Sequence, residues 1–248
     1  MTLEEFFAAT PEVAIAFSGG VDSAYLLYAT MRHARRVRAY TVQSAFQPRF
    51  ELEDARRLAA QLGAPLTIVP LDVLAVPDVA KNDANRCYHC KRAVLSAIQQ
   101  AAARDGFSVL CDGTNADDDG AERPGMRALA ELDVRSPLRA CGLTKAAIRK
   151  HSREAGLFTW DKPAYACLAT RQAMGEPLTA AALAATEAAE TALVALGFRD
   201  FRVRVAHGHA RIQVPEAQLA QVLSQRTAIL HALRPLYHSV SLDLEVRP

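Results

Sequence analysis

Two sets of side chains in this sequence have the types and spacing for chemistry. The first is Ser18-Gly19-Gly20-Val21-Asp22-Ser23, which stands between an apolar run at residues 13–17 and a helix opening at residues 24–29. Two adjacent glycines let the backbone turn sharply and approach a ligand closely. The helix behind them presents its unpaired N–H groups and its dipole to an anion. Strand, Gly-Gly turn and helix together predict a phosphate cradle. It is not the Walker loop, because no Lys follows the glycines at that spacing. The second set is Cys87-Tyr88-His89-Cys90, at the start of a helical run, with Cys167 in the non-periodic stretch 162–171 as the natural third partner. A CxxC pair puts two thiols within reach of one metal or of each other. Alone it is open between redox, zinc and iron–sulfur use, and the second CxxC that a zinc ribbon wants is missing. Cys111 ends an apolar strand and Cys141 sits beside Gly142, and both read as small buried hydrophobes.

Alternating strand and helix signals must hold these residues in place. Strands are predicted over residues 13–17, 37–43, 65–69 and 107–111. Helices are predicted over 51–62 with Gly63 as the stop, 87–104 closed by Gly106, and 145–155 with Thr144 as the cap. This alternation predicts an α/β fold, a doubly wound and mostly parallel sheet with ligands at the carboxyl ends of its strands. The loop Asp112-Gly113-Thr114-Asn115-Ala116-Asp117-Asp118-Asp119 leaves the fourth strand at that end, so it is expected to face the ligand, Asn115 included. Val134-Arg135-Ser136-Pro137-Leu138 reads as a short extended segment. Arg135 and Lys145 are candidate extra cations for phosphates.

Composition changes after Arg171. An Ala-rich helix over 179–196 precedes two alternating strands, 201–205 and 210–214, around His207-Gly208-His209, which reads as a hairpin. A helix over 215–233 and a last strand near 240–246 complete a small α+β unit. The expected organisation is therefore a larger domain over 1–172 and a smaller one over 173–248. By the period of two, Arg202 and Arg204 share one strand face, with Arg211 and Gln213 on the polar side as well, while Phe201, Val203 and Val205 pack on the helices. The arginine face suits an anion, and by spacing alone it equally fits an ordinary solvated sheet surface.

The 248 residues are half hydrophobic and 23% charged, ordinary for a soluble protein with a sizeable core. A net charge of +2 gives no basic stripe for general nucleic-acid binding. The first ten residues carry Glu4 and Glu5 and lack a signal pattern, and no apolar run reaches membrane-spanning length. A soluble cytoplasmic protein is expected. Five cysteines are odd in number and too sparse for a disulfide scaffold.

The SGGVDS string resembles the PP-loop of the ATP pyrophosphatases, which cleave ATP between its α and β phosphates. That resemblance implies that the Ser18 and Ser23 hydroxyls and the Gly19 and Gly20 amides hold pyrophosphate, with Asp22 near its Mg²⁺. SGGVDS, RCYHCK, DGTNADD, RPG, VRSPL, LTK, TWDKP, ACLATR and FRVRVAHGHARIQV occur in that order across almost the whole chain. Together they resemble the LarE family, ATP-dependent sulfur transferases that make the organic part of the nickel-pincer cofactor of lactate racemase. The resemblance implies adenylylation of the carboxylates of pyridinium-3,5-biscarboxylic acid mononucleotide and their conversion, in two rounds, to thiocarboxylates. One branch of the family gives up the sulfur of the cysteine in its ACLA-R segment. The other also carries CxxC, and its three cysteines hold a [4Fe–4S] cluster whose fourth iron can carry an extra sulfide. Cys87, Cys90 and Cys167 match the cluster branch, which calls for a sulfide donor. By the same resemblance Glu190, Arg202 and Arg204 form an anion or substrate-phosphate site, and the protein is a homo-oligomer. One departure stands out, for Gln213 occupies a strand position where the family pattern has Glu, and a neutral amide supplies no charge to a metal.

Rival readings fit less well. A PP-loop tRNA thiolase needs a basic RNA-binding surface, which the +2 balance does not provide. A glutamine-fed synthetase needs a glutaminase region for which no length remains. A nucleotide-binding regulatory module leaves the three cysteines and the arginine face unused.

Overall fold

The computed structural model describes residues 1–118 and 124–247. Asp119 and Arg123, from the acidic loop and the Arg-Pro-Gly string of the sequence, lie outside the described residues. In chain order the elements are α1 Leu3–Ala9, β1 Glu12–Ala16, α2 Val21–His33, β2 Arg36–Gln43, α3 Arg49–Leu62, β3 Leu66–Pro70, α4 Pro77–Ala80, α5 Arg86–Arg104, β4 Leu110–Cys111, α6 Pro124–Glu131, α7 Pro137–Ala140 and α8 Lys145–Glu154. There follow α9 Ala180–Ala195, β5 Arg202–Ala206, β6 His209–Gln213, α10 Leu219–Ser224, α11 Arg226–Leu233 and β7 Ser239–Leu242. Among the described residues no helix is long and apolar enough to cross a membrane.

Two compact units emerge, Met1–Val76 with Cys87–Ala164, and Pro77–Arg86 with Tyr165–Pro248. The division departs from the expected one after residue 172 because local bonds draw two stretches into the second unit. Arg171 is paired with Glu190 of α9. Asn82 donates through Nδ2 to Ala173 O at 2.7 Å and accepts from Gly175 N at 2.9 Å.

In the first unit the order β3-β2-β1-β4 is parallel throughout. The pleat of β1 splits the core into two layers. Val13 and Ile15 join Ala24, Leu27, Ala55, Leu58 and Ile148 on one face, whereas Ala14 joins Leu95, Ile98, Leu110 and Leu129 on the other. Both faces of the sheet are thus covered by helices, which is why its strands read as apolar runs. The chain steps outward from β1 to β3 and then returns to the other side of β1 with β4. That reversal is the topological switch point at which open α/β sheets bind ligands, beyond the carboxyl ends of the strands. The fourth strand is shorter than its sequence suggests, with a ladder only over Leu110–Cys111. Likewise the stretch from Val134 narrows to a single parallel bridge, Cys111↔Arg135, because Pro137 opens a helical turn two residues later. The first helix was missed by sequence reasoning; a reciprocal capping box between Thr2 and Glu5 starts it.

The second unit holds the three-stranded sheet β5-β6-β7. The hairpin turn is His207-Gly208, with φ of +49° and +74°, the left-handed pair that matches the twist of the flanking strands. A parallel β6–β7 pairing follows the α10–α11 crossover. The helix expected over 215–233 is interrupted at Gln225, where the Ser224 hydroxyl turns back to Gln221 O at 3.0 Å. Val203, Val205, Ala210 and Ile212 face α9 and α11 in an apolar core with Leu193, Phe198, Ile229 and Leu233.

Candidate active site

The glycine turn is anchored before it begins. Phe17 is buried, its N–H donates to Tyr40 O at 2.8 Å, and its carbonyl accepts from Thr41 Oγ1 at 2.6 Å. Gly19 then adopts φ of +73°, and a Cβ there would lie 3.2 Å from Ala55 N and Glu51 O of α3. Only glycine satisfies both the left-handed backbone and this close approach. Gly20 caps α2 without any side-chain hydrogen bond, so the first-turn amides keep their donors for a ligand. The two serines stiffen the loop. Their hydroxyls lie 3.1 Å apart, Ser23 Oγ accepts from Ser18 N at 3.3 Å and donates to Gly20 O at 3.1 Å, and Ser18 Oγ accepts from Gly20 N at 3.4 Å. Ser18 itself is exposed. The arrangement is a preorganised anion cradle at the end of the central strand.

Asp22 and Lys145 meet beside it, Lys145 Nζ donating to Asp22 Oδ2 at 2.5 Å. Asp22 Oδ1 is buried with no hydrogen-bond partner among the described residues. An anionic oxygen left in this state beside a phosphate cradle fits a hard cation such as Mg²⁺, which takes carboxylate and phosphate oxygens together. Lys145 is aimed by its own backbone, whose N–H donates to Asp117 Oδ2 at 2.6 Å. The loop after β4 therefore fastens the start of α8. Asn115 is buried and shapes that loop. Its Oδ1 accepts from Asp117 N at 2.8 Å, and its N–H donates to Asp118 Oδ2 at 3.0 Å.

Two loop residues that sequence reasoning did not single out position the cradle. Asp112 is buried and accepts from Thr114 Oγ1 and Ser136 Oγ, both at 2.6 Å, with Lys91 Nζ 3.6 Å away. A Cβ on the neighbouring Gly113 would fall 2.8 Å from Ser23 N, so this loop lies flat against the first turn of α2. The signal was present in the Asp-Gly-Thr-Asn string, but its meaning is a packing distance that no sequence pattern states. Arg135, expected among the phosphate cations, is not brought to the cradle. Its Nη1 donates to Thr10 Oγ1 at 3.3 Å. Thr10 caps the end of α1 and precedes β1, whereas the glycine turn follows β1.

The cysteines sort by environment. Cys111 is fully buried, and burial pushes its thiol up to about 12, against the opposing pull of Arg135. Burial also raises the Cys141 thiol. Neither suits an ionised nucleophile, because the thiolate is the reactive form. Cys87 and Cys90 stand on the first turn of α5 at i and i+3, hence on one face, the former exposed and the latter half-buried. Cys167, half-buried in the second unit, precedes a 3₁₀ turn over Leu168–Arg171. Its carbonyl accepts from Thr170 N at 3.0 Å and Thr170 Oγ1 at 2.8 Å. Among the described residues no three His, Cys, Asp or Glu side chains converge to hold a metal ion. The donor chemistry of the thiols nonetheless suits iron, which proteins hold in such clusters by cysteine thiolates.

In the second unit the hairpin register places Arg202 opposite Gln213 and Arg204 opposite Arg211, all on one face. Arg171, Arg204, Arg211 and His209 line a concavity of about 430 Å³. Arg211 is paired with Asp243 at 3.3 Å and Arg171 with Glu190 at 2.9 Å. Arg204 has no carboxylate within ion-pair distance among the described residues; its Nη1 donates to Thr170 O at 2.9 Å. Burial, then repulsion from Arg171 and Arg247, lowers the pKa of both Arg202 and Arg204. Crowded guanidiniums of this kind are relieved by an anion, and Arg204 has its charge available for one. Arg202 is more deeply placed, donating to Phe201 O at 2.6 Å. Glu190 does not line the concavity; it is buried beneath it.

The asparagine synthase family profile matches residues 4–118, which carry the glycine turn and most of the loop after β4. The chain is 36% identical over 222 residues to an uncharacterized protein of Synechocystis sp., covering 88% of this chain and 82% of that one. It is 33% identical over 235 residues to the pyridinium-3,5-bisthiocarboxylic acid mononucleotide synthase of Lactiplantibacillus plantarum, covering 94% and 85%. An uncharacterized protein of Methanocaldococcus jannaschii is 25% identical over 236 residues, covering 95% and 90%.

Proposed function

Because this chain belongs to the family of the L. plantarum pyridinium-3,5-bisthiocarboxylic acid mononucleotide synthase, we propose that it adenylylates the carboxylates of pyridinium-3,5-biscarboxylic acid mononucleotide and converts them to thiocarboxylates. The observation that carries the reading is the cradle itself: locked serine hydroxyls and free first-turn amides at the switch point, with Asp22 and Lys145 beside them.

A carboxylate is a poor acyl donor because its oxygen leaves badly. Attack of that oxygen on the α phosphorus of ATP forms a new O–P bond and breaks the bond to the bridging oxygen, which departs with pyrophosphate. The first-turn amides of α2, with the Gly19 and Gly20 amides and the Ser18 and Ser23 hydroxyls turned from their internal bonds, would bind the charge that develops there. Lys145 adds a cation, and Asp22 Oδ1 would hold the Mg²⁺ that neutralises the phosphate oxygens. Sulfur then attacks the acyl carbon, and AMP leaves with the original carboxylate oxygen. Arg204, supported by Arg202, would hold the phosphate of the mononucleotide. Cys87, Cys90 and Cys167 would ligate a [4Fe–4S] cluster, which supplies sulfide when bound. The CxxC spacing of Cys87 and Cys90 on one helix turn supports that ligand set.

Two measurements test the reading. AMP and pyrophosphate should appear only when the mononucleotide is present, and anaerobically prepared protein should contain about four irons per chain, lost on replacement of any of the three cysteines. A colourless, active protein in which Cys167 loses the mass of H₂S would reassign sulfur delivery to Cys167 itself.

A further inference from the structure

Arg171 is among the most deeply buried residues of the second unit, 1% exposed, and every nitrogen of its guanidinium is engaged. Nε donates to Glu190 Oε1 at 2.9 Å and Nη2 to Glu190 Oε2 at 3.2 Å, a two-pronged pairing. Nη1 reaches back along the chain to Ala166 O at 2.7 Å, Thr170 Oγ1 at 2.9 Å and Cys167 O at 3.4 Å. Its plane lies over the Tyr165 ring, whose hydroxyl donates to Glu190. Glu190 Oε1 also accepts from Val203 N at 3.0 Å, on the edge of β5. Four donors from this chain therefore occupy the Glu190 carboxylate, so it is committed to internal contacts and not to a substrate anion.

A buried ion pair is seldom a net source of stability, because desolvation cancels most of its Coulombic gain. The second unit has a separate apolar core that includes Leu193, Phe198, Ile229 and Leu233. What the pair does accomplish is local. It grips both carbonyls flanking the Cys167 nitrogen and α-carbon, and it ties that turn to α9 and β5. Thr170 continues the connection, donating to Cys167 O while its own carbonyl accepts from Arg204. We propose that Arg171 and Glu190 are positioning residues, a buried clamp that fixes the Cys167 thiol at a set distance from the anion-binding guanidinium of Arg204. The inference rests on Cys167 taking part in sulfur delivery.

The test compares wild type with Arg171→Lys, which keeps the charge but loses the fork, and with the uncharged pair Arg171→Met/Glu190→Gln, which leaves no buried charge unpaired. Mononucleotide-dependent pyrophosphate release and thiocarboxylate formed per AMP are measured on the full chain. Alkylation of Cys167 by iodoacetamide is followed on iron-free full-length protein by peptide mass analysis, with Cys141 as internal reference. Thiocarboxylate formed per AMP, measured at saturating mononucleotide, should fall about tenfold to a hundredfold in both variants. Cys167 alkylation should rise about threefold or more relative to Cys141 as the turn opens. Proportional loss of both activities, or an unchanged alkylation rate, overturns the clamp. Absence of mononucleotide-dependent pyrophosphate release from wild type would instead defeat the proposed function, and the alkylation comparison would still decide the clamp.

Discussion

Gly113→Ala asks whether the loop after β4 sets the shape of the phosphate cradle. The new methyl group would lie 2.8 Å from Ser23 N, 3.1 Å from Ser23 Cα and 3.2 Å from Asp22 C. Non-bonded heavy atoms sit comfortably at about 3.5 Å, so the worst overlap is roughly 0.7 Å. All three neighbours are backbone atoms of α2, so no side chain can swing aside; the helix start or the loop must move. Overpacking of this kind costs about 1–3 kcal/mol. Displacement of a positioning group by about 1 Å costs on the order of a hundredfold in rate, so a shift of this size should slow pyrophosphate release by roughly tenfold to fiftyfold. Gly63→Ala supplies the control. It has φ of +63° and nothing within 4 Å, so alanine there adds backbone strain far from the cradle. Its cost should be about 1–2 kcal/mol of stability with little change in rate. Thermal unfolding and mononucleotide-dependent pyrophosphate release separate the two. If Gly113→Ala releases pyrophosphate within a factor of two of wild type, the loop does not set the cradle.

Other substitutions probe separate parts of the site. Asp22→Asn should abolish Mg²⁺-dependent pyrophosphate release with the fold intact by circular dichroism, since its side chain is at the ligand-facing surface and 23% exposed. Arg204→Ala should weaken mononucleotide binding by about 1.5–3 kcal/mol, the usual worth of a hydrogen bond to a charged group, and leave ATP affinity unchanged in calorimetry. Equal weakening of both ligands would place Arg204 outside the phosphate site. The raised Cys111 thiol has a signed pH consequence. The unfolded chain loses this proton above about pH 8.5, whereas the folded chain holds it to about 12. The unfolded state then binds fewer protons, so stability falls as pH rises above that point, by about 1.4 kcal/mol per pH unit from this group. Cys111→Ala should flatten that alkaline decline in urea titrations.

Much of this was legible in the residues, and the unread part has a common cause. The apolar runs, the Gly-Gly turn and the hairpin at His207-Gly208 declare themselves because period and turn chemistry are local. The arginine face of β5 followed from alternation alone and is present in the register. Arg135 was read as a phosphate cation from its charge alone, whereas its Nη1 donates to Thr10 Oγ1, at the end of β1 away from the glycine turn. Asp112 and Gly113 were read only as part of a ligand-facing loop, since their own roles depend on contacts with Ser136 and Ser23, far away in the chain. Glu190 was grouped with the arginines as part of an anion site. Its buried pairing with Arg171, nineteen residues back, shows where the carboxylate is spent.

The central claim is tested most directly by incubating the protein with ATP, Mg²⁺, a sulfide source and pyridinium-3,5-biscarboxylic acid mononucleotide under anaerobic conditions, and identifying the products. AMP and pyrophosphate in step with replacement of a carboxylate oxygen by sulfur, both absent when the mononucleotide is omitted, is the predicted result. ADP and inorganic phosphate as the nucleotide products, or AMP released equally without the mononucleotide, would contradict it.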